Sequence, residues 1–97
     1  MLGKALAHEI IEKFGTKNTA TLCKNVGVKI CYAKWFPSTI GEFDSKNNTI
    51  TVNLNANIAQ HTIITHELGH YFIHQKGIKL TRNEEEKVVE DFVKVFL

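Results

Sequence analysis

One run of five residues in this chain has the types and spacing to bind and use a metal ion: His66-Glu67-Leu68-Gly69-His70. On a helix, side chains four residues apart lie one above the other on one face, so both imidazoles can reach a single ion. Neutral imidazole nitrogen suits Zn²⁺ at about 2.0–2.1 Å. Glu67 follows His66 by about a third of a helical turn, which lets its carboxylate lie beside the ion without binding it. A catalytic zinc takes three protein ligands and keeps one position for water. The ion lowers the pKa of that water to roughly 7, and a neighbouring carboxylate can accept its proton during attack. The chemistry indicated is therefore hydrolysis by metal-activated water, with Glu67 as general base.

Two histidines do not complete such a site. A metzincin would carry a third His ten residues after the first, and that position is Lys76. His74 follows His70 by four, but a straight helix carries it a further ~6 Å along the axis, which suits a cleft wall better than the ion. Cys23 and Cys31 lie upstream, without the Glu-Gly-Cys context of a deformylase. The C-terminal segment offers Glu84, Glu85, Glu86, Glu90 and Asp91. A carboxylate from there would complete a His₂Glu set. Acidic residues also favour the first turn of any helix through its dipole. Glu85 and Glu86 both border the apolar stripe of that helix, so periodicity does not separate them.

The elements that must position these groups follow from the pattern of apolar residues. Ala7, Ile10, Ile11 and Phe14 form one stripe of a helix over 3–15. A second helix is expected over 19–26, with Thr19 as cap and Gly27 as stop. The period then changes to two. Val28, Ile30 and Tyr32 read as a first strand, and 39–43 as a second. Thr49 to Leu54 reads as a third, joined to the second by the turn Asp44-Ser45-Lys46-Asn47-Asn48. Asn57, with Gln60 in capping-box register, predicts the start of the motif helix, which runs to about Gln75. Thr81 and Glu84 predict a second capping box at the start of the last helix, whose inner face is Val89, Phe92, Val93 and Phe96. The order α-α-β-β-β-α-α predicts an α+β domain with a small, antiparallel-rich three-stranded sheet.

Composition bounds the rest. At 97 residues, 43% hydrophobic and 23% charged, the chain fits one globular domain, 1–97. A net charge of +2 is too weak to argue for nucleic acid. No stretch approaches the ~18 apolar residues of a membrane span. Lys4, Glu9 and Glu12 interrupt any signal-peptide core, so a cytoplasmic location is expected. Two cysteines make no disulfide framework; in a reducing compartment Cys23 and Cys31 would be small buried hydrophobes, a single bridge being the alternative.

From about Val28 onward the sequence resembles the ImmA/IrrE-type metallopeptidases. The centre of the resemblance is Ile64-Thr65-His66-Glu67-Leu68-Gly69-His70-Tyr71-Phe72-Ile73-His74, similar to that family's active-site helix. Upstream, Asp44 through Ile50-Thr51-Val52-Asn53 looks like its hairpin ending in Asn. Downstream, Glu86, Val89, Glu90, Phe92 and Val93 match a Glu-centred frame, with Val in place of each Ala and Glu90 in place of Asn or Asp. The resemblance implies a small gluzincin-like zinc peptidase with His66, His70 and Glu86 as ligands. It implies Glu90 as a carboxylate orienting a ligating His. It also implies a protein substrate such as a helix-turn-helix repressor, since family members are associated with repressor cleavage.

Tyr32, Tyr71 and His74 are candidates for oxyanion support. A strand edge near Ile50 to Asn53 is expected to hold an extended substrate. Three rival readings remain at this point: another zinc hydrolase acting on a non-peptide amide, an inactive antirepressor or interaction module of the same fold, and a structural zinc site with a fourth protein ligand.

Overall fold

The computed structural model describes residues 1–97. Four helices and three strands follow the expected order: α1 (Leu2–Phe14), α2 (Thr19–Val26), β1 (Lys29–Ala33), β2 (Gly41–Asp44), β3 (Thr49–Asn53), α3 (Gln60–Gln75) and α4 (Arg82–Phe96). The architecture is α+β. No helix is long and apolar enough to cross a membrane.

Two helix starts differ from expectation. Asn18, not Thr19, caps α2, its side chain accepting from the Thr21 amide at 2.9 Å. Neither Asn57 nor any other side chain caps α3, which begins after Ala59; the Ala59 carbonyl accepts from the amides of Thr62 and Ile63. The capping box at α4 is present in both halves, Glu84 N to Thr81 Oγ1 and Thr81 N to Glu84 Oε1. These two bonds fix where α4 starts, and hence the angular positions of the acidic residues that follow.

The sheet matches the antiparallel-rich expectation in part, being mixed. Its order is β1-β3-β2, with β2 antiparallel to β3 through the hairpin and β1 parallel to β3. Alternation along Val28–Tyr32 announces a strand but carries no information about its direction. β3 is thus the central strand, so the segment Ile50 to Asn53 is no edge. The free edge beside α3 belongs to β2. Ile50 and Val52 are fully buried, whereas Leu54, expected on the same face, lies past the strand and is 43% exposed.

α3 is the hub, packing against α2, α4, β2 and β3. Nine of its residues are buried, among them Ile63, Leu68, Phe72 and the ionisable Glu67. Two glycines let α4 come close on either side. A Cβ on Gly69 would stand 3.2 Å from both γ-carbons of Val89 and 3.3 Å from Phe92 Cδ1. A Cβ on Gly3 of α1 would stand 2.1 Å from the Val88 carbonyl oxygen and 2.8 Å from Asp91 Cβ. Val89 and Phe92 are fully buried in the resulting seam, each stabilising the packing by about 1.5–3 kcal/mol. The same seam brings the first turns of α4 alongside the histidines of α3.

Cys23 is buried in the core, and burial pushes its thiol up to about 11. Cys31 is exposed on β1, contrary to expectation, and the two are not bonded to each other.

Candidate metal centre

His66 and His70 lie one turn apart on the solvent-facing stripe of α3, with ring centroids 5.1 Å apart. Glu86 reaches both from α4. Its Oε2 lies 3.5 Å from His66 Nε2 and its Oε1 lies 3.2 Å from His70 Nε2. Ligands at about 2.0–2.1 Å on a tetrahedral ion stand about 3.4 Å from one another. Both contacts are close to that spacing, and one donor atom from each of the three residues lies within 4.8 Å of the other two. His66, His70 and Glu86 could hold a metal ion; two imidazoles and a carboxylate suit zinc and other divalent cations alike.

The electrostatics agree with that chemistry. Burial, and then the neighbouring His70, hold the His66 imidazole below its usual pKa, against the opposing pull of Glu86 and Glu90. His66 is therefore neutral at pH 7, the state a ligand requires. Glu67 is only 5% exposed, and its carboxylate lines the cleft. Burial pushes its pKa up to about 7; His70 opposes the rise, and Glu86 and Glu42 add to it. A Cβ on Gly41 would lie 3.5 Å from Glu67 Oε2, so the carboxylate sits against the β2 backbone where no side chain stands in its way.

A cleft of about 470 Å³ opens over these groups. One wall is Ile40 to Phe43 with the start of β2; the other is α3 and the first turns of α4. Arg82, the first residue of α4, also lines it. Sequence reasoning passed over Arg82, because a basic residue in a first turn carries no signal of its own. A larger cavity of about 700 Å³, formed by Lys34 to Thr39 with Glu42 and Asn55, adjoins the cleft through Ser38, Thr39 and Glu42. It is the more spacious of the two, but it contains no ligating pair.

The remaining expectations divide. Of the three oxyanion candidates, His74 lines the cleft. Tyr32 is on β1, with β3 between it and the cleft. Tyr71 is buried edge-on against Phe43, ring centroids 5.6 Å apart. Glu90 is exposed and makes no hydrogen bond to either histidine, acting on His66 only as a nearby charge. The carboxylate on the nitrogen of His70 opposite Glu86 is that of Glu85, with Oε2 at 2.5 Å from Nδ1.

Asn53 shapes the cleft from behind. It is 1% exposed, and its Oδ1 accepts from the amides of Trp35 and Asn55, both at 2.9 Å. Its Nδ2 donates to the carbonyls of Phe36, at 3.0 Å, and Thr39, at 2.6 Å. One side chain thus ties down the loop leading into β2. Asn53→Ala leaves those four backbone groups without their partner and should destabilise the fold by about 2–3 kcal/mol in urea denaturation. A loss under 0.5 kcal/mol would show that the loop holds itself.

No family model, no curated protein and no solved structure matches this chain.

Proposed function

We propose that the chain is a zinc-dependent endopeptidase that cleaves a peptide bond in a protein substrate. The observation that carries this reading is the joint geometry of three metal-competent donors and the Glu67 carboxylate held against β2, all opening on one cleft beside a free strand edge. His66, His70 and Glu86 would hold the ion. Bound there, zinc supplies a Lewis acid and a water acidified toward pH 7. Glu67, with a pKa raised to about 7, is matched to accept that water's proton and to pass it on to the leaving amine. The outer edge of β2, residues Gly41–Asp44, offers unpaired backbone groups to an extended peptide.

A polypeptide substrate is favoured by that edge, because a small amide would have no use for it. A helix-turn-helix repressor is the substrate class the sequence resemblance suggests. The reading extends to the cytoplasm, where the exposed thiol of Cys31 would remain reduced.

The test is direct. Zinc-loaded protein is incubated with an unstructured polypeptide and the products are mapped by mass spectrometry. Discrete cleavage that stops on chelation and returns with zinc is expected. An intact polypeptide after prolonged incubation with equimolar zinc-loaded protein would overturn the peptidase reading.

A further inference from the structure

We propose that Glu85 is a positioning residue, which holds His70 in the tautomer that turns a bare Nε2 toward the metal. The inference rests on the metal-centre reading and assigns to Glu85 a task distinct from that of its neighbour Glu86. The two carboxylates are adjacent on α4, about 100° apart around the helix, and they straddle the His70 ring. Glu85 Oε2 meets Nδ1 at 2.5 Å, while Glu86 Oε1 meets Nε2 at 3.2 Å.

An ionised carboxylate can only accept a hydrogen bond. A short contact to Nδ1 therefore requires the proton on Nδ1, and in the neutral ring Nε2 is left with its lone pair free. Nε2 is the atom that faces Glu86, at 3.2 Å. Burial supports the division of labour. The Glu85 side chain is 21% exposed and wedged between His70 and His74, whose Nε2 lies 4.0 Å from the same oxygen. The Glu86 side chain is 46% exposed, at the cleft mouth where an ion would enter. Glu85 thus does what the sequence frame assigned to Glu90, from a position one residue before the ligand in place of four after it. A carboxylate on the second nitrogen of a ligating imidazole fixes the ring and raises its basicity, and its removal weakens metal binding about 10–100-fold.

The experiment measures zinc affinity by chelator competition and the His70 tautomer by ¹⁵N-histidine NMR of the metal-free protein. Wild type, Glu85→Ala, Glu85→Gln and Glu86→Ala are compared. Wild type should show Nδ1–H at His70. Glu85→Ala should bind zinc about 10–100-fold more weakly and populate the Nε2–H tautomer. Glu85→Gln, whose amide oxygen still accepts from Nδ1–H, should recover most of the affinity and the wild-type tautomer, which also separates positioning from any loss of folding in the Ala variant. Unchanged affinity and tautomer in Glu85→Ala would overturn the proposal. So would zinc lost in Glu85→Ala but kept in Glu86→Ala, since Glu85 would then be the ligand itself. If Glu86→Ala and His66→Ala both bound zinc like wild type, the metal-centre reading would fall, and the tautomer of His70 would still decide the role of Glu85.

Discussion

Glu67→Gln should lower peptide hydrolysis by about 10²–10⁴-fold while zinc content stays at the wild-type level, since it removes a proton acceptor and leaves every ligand in place. A protein that only binds a regulator would be indifferent to the change, so undiminished proteolysis or an absent baseline activity would each defeat the general-base assignment. The same substitution carries a second consequence, for stability. The folded-state pKa of Glu67, about 7, lies above its ordinary value of 4.5. The folded state therefore holds this proton more tightly than the unfolded chain does. Its contribution is most favourable below about pH 4.5 and is lost as pH rises through 7, where the buried carboxylate must ionise. Gln never ionises. Metal-free Glu67→Gln should consequently be more stable than wild type at pH 8, by on the order of 2–3 kcal/mol, with the difference vanishing toward pH 4. Urea melts of both proteins across that range measure it. Equal stabilities at pH 8 would show that the carboxylate is well solvated by the cleft.

The second large effect is that of zinc on melting temperature. A ligand that binds only the folded state at 1,000 times its dissociation constant stabilises it by about 4 kcal/mol. In a domain of 97 residues that corresponds to a rise of roughly 16–30 °C. The rise should grow with the logarithm of free zinc and disappear in His66→Ala and Glu86→Ala. The physical reason is that the ion joins α3 to α4, two elements whose separation in the unfolded chain it has no means to bridge. A melting temperature insensitive to zinc would mean that these side chains do not form a site.

The part of this architecture legible in sequence is the part set by local spacing. The i, i+4 histidines, the Thr81–Glu84 capping box and the hairpin around Asp44–Asn48 each depend on neighbours within a turn or two. The place of β1 in the sheet depends on the connection from Ala33 to Gly41, which leaves room for β3 between β1 and β2, and alternation in Val28–Tyr32 is blind to it. Periodicity alone leaves Glu85 and Glu86 unseparated for a related reason, although the resemblance points to Glu86, the one that joins the histidines. Both border one stripe, and only the lateral placement of α3, set by Gly69 against Val89 and Phe92, decides which carboxylate meets which nitrogen. The role of Asn53 was hidden because its four partners are backbone groups, 2 to 18 residues away, in a loop without periodicity. α3 starts later than its spacing predicts: Asn57 is a good capping residue in isolation, while the chain closes its first turn on the Ala59 carbonyl.

The two glycine contacts of α4 make its distance to the paired histidines a property of the remote N-terminal helix as well as of α3. Gly3 lies against Val88 and Asp91 on the side of α4 away from the histidines, so a methyl group added there would shove the whole rod sideways. A misplacement near 1 Å at a reacting centre can cost about a hundredfold in rate. Random mutagenesis screened for lost catalysis should therefore recover lesions along α1, far from anything the substrate touches. Because the nearest atom met at Gly3 is the backbone carbonyl of Val88, a smaller side chain at position 88 should not rescue them.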